Sequence, residues 1–293
     1  PPWALAGHLG AQPGYRRRHA TRGILEGFEQ ERSVLGGVTT ALITGASGGI
    51  GEAFARHLAA LGKDLVLVAR SEEKLNSLAR DLASSHSVQV HVLVADLARH
   101  NSAAALYAET ERLGLAVDLL VNNAGFARAG EFSEIAFDLQ ADMVRLNVNT
   151  LTELTRLYLP SMRERRRGGV INVASNAAFQ PVPYIAVYGA TKAYVLSFSE
   201  AVAEEVAADG VTVMALCPGA TATGFHDTAR VWVQRQSSMP TPDEVVTEGL
   251  RAFERRRPSF LHGATNQLTS VAARFLPRRL VVYLTGRVMN SHR

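Results

Sequence analysis

The run Thr39-Thr40-Ala41-Leu42-Ile43-Thr44-Gly45-Ala46-Ser47-Gly48-Gly49-Ile50-Gly51 passes from apolar residues into glycines, and Glu52 to Leu61 then carries an apolar face at helical spacing. A buried strand, a glycine turn and a helix make up the unit in which backbone amides and the positive helix end face a phosphate. Outward from this stretch the alternation recurs. Strands are expected at 64–70, 88–94, 118–121, 169–175 and 211–216, and helices over 72–84, 102–113, 141–162 and from beyond Pro183 to about Ala208. Thr241-Pro242-Asp243-Glu244 reads as a helix start, with Pro in the first turn and acids near the positive end, and Phe260 to Gly263 as a last short strand. Alternation of this kind predicts one doubly wound α/β domain around a parallel sheet. Residues 39–263 form that domain, 1–38 read as a poorly ordered extension, and 264–293 as a basic amphipathic helical tail.

Composition fits a soluble globular enzyme: 47% of the 293 residues are hydrophobic and 20% charged, enough for one large buried core. Net charge is +4, with arginines in runs at 16–18, 165–167, 255–257 and 278–279. Such runs read as solvated faces, and no nucleic-acid partner is expected. The single cysteine, Cys217, excludes an intrachain disulfide and fits a reducing, cytoplasmic compartment, where it serves as a small buried hydrophobe. No uncharged apolar run reaches the length of a transmembrane helix. From Leu268 to Met289 apolar residues alternate with Arg274, Arg278, Arg279 and Arg287. Such a stretch either packs on the domain or a partner subunit, which is the favoured expectation, or lies on an anionic membrane surface.

Tyr188 and Lys192 stand four residues apart on an expected helix and so share one face, about 5–6 Å apart at Cβ. A free phenol titrates at about 10 and is a poor proton shuttle at neutral pH unless a neighbour stabilises the phenolate. One ammonium at about 6 Å favours the phenolate by roughly 3 kcal/mol at an effective dielectric of about 20. The pair therefore suits a proton relay beside a hydride carrier. Strand 64–70 ends in Ala69-Arg70-Ser71 with no carboxylate before Glu72. An acid at that place accepts a ribose 2′-OH, whereas an arginine suits a 2′-phosphate, so NADP is expected over NAD; the other reading of Arg70 is an exposed strand-end cation.

The glycine spacing at 45, 49 and 51, the Asn122-Asn123-Ala124-Gly125 turn, Ser175 thirteen residues before Tyr188, the Tyr188/Lys192 pair and the Pro218-Gly219 turn occur in this order over about residues 38–225. Together they resemble the short-chain dehydrogenase/reductase family. That resemblance implies a Rossmann fold and interconversion of a small-molecule carbonyl and secondary alcohol. The glycine turn, including Gly45, Ser47, Gly49, Ile50 and Gly51, would hold the cofactor. Asp96 and Leu97 would lie against the adenine, although Asp96 could equally cap the next helix. Asn123 and Gly125 would let the backbone approach the cofactor, and Pro218, Gly219, Thr221 and Thr223 would hold the nicotinamide carboxamide. Asn147, with Asn149 as runner-up, would complete a catalytic set with Ser175, Tyr188 and Lys192. The segment Gly224 to Met239, with Phe225, Trp232 and Met239, falls where the family keeps a variable substrate lid; these side chains either line a pocket or simply pack. Family members are often homodimers or homotetramers, joined through the helices carrying the Asn and the Tyr/Lys pair. A fold retained for cofactor sensing or scaffolding without turnover is the other class of function.

Overall fold

The computed structural model describes residues 33–225, 229 and 239–290. Among them, seven strands form one parallel sheet in the order β3-β2-β1-β4-β5-β6-β7. The strands are β1 (Thr40–Thr44), β2 (Asp64–Ala69), β3 (Val90–Val94), β4 (Leu119–Asn122), β5 (Gly169–Val173), β6 (Thr212–Cys217) and β7 (Ser259–Leu261). Between them run α1 (Gly49–Ala60), α2 (Glu72–His86), α3 (Ser102–Arg112), α4 (Phe137–Val144), α5 (Leu151–Arg165), α6 (Ala186–Val206) and α7 (Pro242–Glu254); α8 (Ala264–Phe275) and α9 (Arg278–Asn290) follow β7. The expected doubly wound α/β architecture is present.

Side chains alternate across each strand, and both faces are covered. Ala41, Ile43, Leu65, Leu67, Leu119 and Val121 pack on one side with Phe54, Leu75 and Phe253. Leu42, Val66, Val68, Leu120 and Val170 pack on the other with Leu106, Leu154, Tyr158 and Met162. The strand order reverses between β1 and β4, which places a crevice beyond the carboxyl ends of these two strands, where the glycine turn and the 122–125 turn lie.

Several boundaries move from their expected places. Val34, Leu35 and Val38 are buried, and the Val34 and Leu35 amides donate to the Glu254 carboxylate at 3.0 and 2.8 Å. The folded domain therefore begins near Val34 rather than at 39. The segment expected as one helix over 141–162 starts at Phe137 and runs through a π-helical turn at Arg145–Thr150 before α5. The tail is two helices, because Pro277 lacks the amide that a continuous helix would need there. The start of α7 is a capping box, with the Glu244 amide donating to Thr241 Oγ1 and the Thr241 amide to the Glu244 carboxylate.

The arginine run at 165–167 is not merely solvated. Asp118 is fully buried at the start of β4, and Arg165 and Arg167 reach its Oδ1 at 3.4 and 3.5 Å, while Thr39 donates to Oδ2 through both amide and hydroxyl. A buried carboxylate needs such partners to stay charged. Among the described residues no helix is long and apolar enough to cross a membrane.

Candidate active site

The glycine turn is shaped by contacts that leave no room for side chains. Gly45 and Gly49 have φ of +68° and +57°, values that favour glycine. A Cβ on Gly51 would sit 2.3 Å from the Gly45 carbonyl oxygen, and one on Gly49 would sit 3.1 Å from Thr223 Cγ2. Asn123 secures the turn: its side-chain amide donates to the carbonyls of Thr44 and Gly45 at 2.9 and 3.2 Å. The Asn123 and Ala124 backbone amides donate to Thr44 Oγ1. Asn122 bridges to Thr155 and to Asn172 of β5, whose own amide reaches Ser199. The asparagine pair thus bonds to strands and helices, and it is the small Ala124 and Gly125 that leave the cavity wall low.

Gly51→Ala tests this packing. The new methyl cannot be accommodated without moving the Gly45 carbonyl, because the conflicting atom is backbone. Nicotinamide-cofactor affinity, read by quenching of intrinsic fluorescence, is expected to fall at least tenfold. An unchanged affinity would show that the turn does not form the binding site.

A cavity of about 1250 Å³ opens at the strand ends. This exceeds the ordinary range for a single small ligand, roughly 300–1,000 Å³, and leaves room for a dinucleotide and a substrate together. Gly45, Ser47, Gly49 and Ile50 line one wall; Arg70, Asp96 and Leu97 lie at one end; Asn123, Gly125, Ser175, Tyr188, Lys192, Pro218, Gly219, Thr221 and Thr223 line the remainder. Of the expected site residues, Gly51 and Asn147 lie behind the wall and shape it. Asp96 does not cap α3, which begins at Ser102; it accepts from the Ala98 amide and pairs with Arg99. Thr221 Oγ1 donates to the Gly219 carbonyl, and Thr223 Oγ1 accepts from the Phe225 amide.

Four polar side chains converge at the far end. Ser175 lies two residues beyond β5, where its Oγ accepts from the Ala177 amide at 3.1 Å and donates to Asn176 Oδ1 at 3.2 Å. Burial pushes the Tyr188 phenol up to about 12, and the neighbouring Ser175 hydroxyl draws it down only in part. Lys192 Nζ donates to the Val173 carbonyl at 2.6 Å and lies 5.7 Å from the Tyr188 ring centre. Burial holds its ammonium down to about 8. The expectation that Lys192 lowers the phenol pKa is therefore not met in the protein alone. Both groups are desolvated, and the loss of water around each charge exceeds their mutual attraction.

Asn147 is 1% exposed within the π-helical turn, a distortion common at functional sites. Its Nδ2 donates to the Phe126 carbonyl and Thr191 Oγ1, and its Oδ1 accepts from the Phe126 amide. Asn147 thus clamps the loop that follows Gly125. The structure places no comparable role on Asn149, the runner-up. Cys217 is buried with its thiol pushed up to about 12 by burial, the inert position expected of it. Among the described residues there is no cluster of ligands fit for a metal ion.

The cavity also contains Lys74, Arg128 and residues of α9, which the sequence did not single out, and one lid aromatic that it did. Lys74 projects into the Arg70 end from the first turn of α2, one helical turn beyond Arg70. Their shared end is visible in retrospect from the four-residue spacing. Arg128 also lines the cavity, its Nε buried and without a hydrogen-bond acceptor. Phe225 faces the catalytic end, its ring 5.7 Å from that of Tyr188, so this lid aromatic lines the pocket; Trp232 lies outside the described residues. Leu284, Thr285, Val288 and Met289 of α9 close one side, which only the path of the tail could reveal.

The low glycine wall, the helix end behind it and the cations near one end suit a dinucleotide with its phosphates against α1. Comparisons with known proteins agree with that geometry. The chain is 29% identical over 262 residues to the very-long-chain 3-oxoacyl-CoA reductase-A of Danio rerio, covering 86% of this chain and 79% of that one. It is 32% identical over 189 residues to the inactive hydroxysteroid dehydrogenase-like protein 1 of Homo sapiens, covering 63% and 56% of the two chains. A solved short-chain dehydrogenase from Sphingobium yanoikuyae in complex with NADPH superposes with a TM-score of 0.74 at 34% identity, over 81% of this chain and 93% of that one. The family model for short chain dehydrogenase matches residues 39–234. With its parallel sheet, glycine turn and clustered Ser, Tyr and Lys, the chain belongs to the short-chain dehydrogenase family, whose members bind a nicotinamide cofactor.

Proposed function

We propose that the protein is an NADP(H)-dependent oxidoreductase that reduces a carbonyl to a secondary alcohol, with Tyr188 as the proton donor. The observation that carries this reading is the convergence of Ser175, Tyr188 and Lys192 on one cavity with the glycine turn. When bound, the nicotinamide supplies the hydride. A phenol that keeps its proton to about pH 12 is a donor at neutral pH, so the protein is set to protonate a carbonyl oxygen rather than to deprotonate an alcohol. Ser175 Oγ would hold the same oxygen by turning its one hydrogen from Asn176 Oδ1 to the substrate. With the cofactor bound, Lys192 would hold the ribose hydroxyls beside the nicotinamide and return a proton towards Tyr188. Asn147 has both Nδ2 hydrogens engaged, which leaves the second lone pair of Oδ1 to accept from a relay water.

Selection of NADP rests on Arg70 and Lys74, two exposed cations at one end of the cavity. A 2′-phosphate there gains charge-assisted hydrogen bonds worth about 1.5–3 kcal/mol each. Arg70→Glu is expected to lower the NADPH to NADH ratio of kcat/KM by about 10–100-fold, and Lys74→Ala by less. A ratio unchanged in both variants would remove this end of the cavity from cofactor choice.

The substrate chamber is walled by Phe126, Val182, Ile185, Phe225 and α9, with the Arg128 Nε as an unsatisfied donor. An apolar body carrying an acceptor-rich group fits it, and a 3-oxoacyl thioester, as in the name of the zebrafish relative, is one such compound. A screen of oxoacyl thioesters, ketones and aldehydes while following NADPH absorbance tests the assignment. The second reading is a catalytically silent cofactor-binding protein, favoured by the human relative named inactive. Tight NADPH binding with no oxidation across the screen would decide for it.

A further inference from the structure

The tail helices carry two faces, and the fold accounts for only one of them. On the inner face Val281 is buried, Thr285 Oγ1 donates to the Pro181 carbonyl at 3.0 Å, and Gly286 meets Pro183 so closely that a Cβ would lie 3.3 Å from its ring. Asn266 of α8 bonds to Asn176 and to the His262 carbonyl. Both helices are therefore fixed to the domain. On the outer face, Leu268, Val271 and Phe275 of α8 follow helical spacing and are 71%, 50% and 84% exposed. Leu280 and Tyr283 of α9, 41% and 57% exposed, continue the apolar surface. Among the described residues, these side chains of the outer face stay exposed.

Charge identifies the partner. Residues 264–290 contain Arg274, Arg278, Arg279 and Arg287 and no aspartate or glutamate. Arg287 lies over the Tyr283 ring at 5.8 Å and donates to its hydroxyl, an aromatic and cation pair of the kind that sits at a lipid headgroup layer. An apolar strip on helices whose only charges are positive complements an anionic lipid surface; each arginine adds attraction there, and neither helix needs to cross the bilayer. A second copy of this face would instead bring like charges together.

We propose that the outer face of α8 and α9 docks on an anionic membrane surface. Docking sets the α9 side of the cavity, lined by Leu284 and Val288, at the lipid boundary, where a lipid-borne substrate can enter without crossing water. The docking itself does not depend on turnover, whereas the route of entry rests on the reductase reading.

Sedimentation of the full chain with vesicles of phosphatidylcholine, with and without 30 mol% phosphatidylglycerol (roughly the charge of an anionic leaflet), tests the proposal. The protein is expected to pellet with the anionic vesicles at least tenfold more than with neutral ones, and to be released as salt rises from about 0.1 to 0.5 M. Leu268→Glu with Phe275→Glu, both at exposed positions outside the cavity, should reduce binding at least tenfold. Arg278→Glu with Arg279→Glu should do the same, with NADPH affinity unchanged in both double variants. The proposal is overturned if wild type stays in the supernatant with both vesicles, or if wild type and variants pellet alike. It is overturned equally if analytical ultracentrifugation in the absence of lipid shows a dimer that the Leu268/Phe275 double variant abolishes. Loss of NADPH oxidation with vesicle binding retained would instead fail the reductase reading and leave docking standing.

Discussion

Tyr188→Phe is expected to lower turnover about a thousandfold while leaving NADPH affinity within threefold of wild type. The substitution removes one oxygen and keeps the ring, which packs 5.7 Å from Phe225 and is almost wholly buried, so the cavity wall stays in place. What is lost is the one neutral acid at the catalytic end. Ser175 Oγ is a weaker donor, already engaged with Asn176 and Ala177, and Lys192 is turned to the Val173 carbonyl. Positioned proton transfer contributes roughly 10²–10⁴-fold to such reactions, and water cannot readily replace the phenol in a buried site. Folding stability should change by no more than about 1 kcal/mol, the scale of one hydrogen bond. Steady-state rates on the best substrate, with fluorescence titration of NADPH, make the measurement. Residual turnover above a tenth of wild type would dismiss Tyr188 as the donor.

The parts of this site that could be read from the sequence are those whose geometry is local. Gly45, Gly49 and Gly51 shape a turn within seven residues, and Tyr188 and Lys192 meet because a helix repeats every 3.6 residues; both held in three dimensions. What could not be read depends on contacts between distant segments. Arg165 and Arg167 look like a solvated run until β4 brings Asp118 beneath them. Thr285 bonds to the Pro181 carbonyl across 104 residues, and no pattern within the tail announces that its inner face closes the cavity. Val34 and Leu35 join the core where Glu254, at the far end of α7, receives their amides. The direction in which Tyr188 titrates escapes the sequence for a related reason. Spacing gives its separation from Lys192, but not how completely the surrounding sheet, turn and helix exclude water from both.

That exclusion has a measurable cost in stability. Burial holds Lys192 at about 8 against an ordinary value of 10.5, which corresponds to about 3 kcal/mol favouring the neutral amine, at about 1.4 kcal/mol per tenfold. Between these two values the unfolded chain binds the proton and the folded chain does not, so this residue's contribution makes stability rise with pH across that window. Below about 8 the penalty is present in full. Lys192→Met replaces the ammonium with an unbranched apolar side chain of similar length. It removes the penalty but also the hydrogen bond to the Val173 carbonyl, which offsets about 1–2 kcal/mol. The variant is expected to be about 1–2 kcal/mol more stable than wild type at pH 7, with the advantage vanishing as pH approaches about 10. Its turnover should fall at least a hundredfold, because Lys192 is the cation that stands beside Tyr188 among the described residues and would return the proton. Chemical denaturation of both proteins at pH 7, 8.5 and 10, with NADPH oxidation rates, checks the two halves separately. A variant less stable than wild type at pH 7, or one whose advantage does not change with pH, would mean that Lys192 is not held charged against its surroundings, and the strained ammonium would have to be given up as the source of Tyr188's proton.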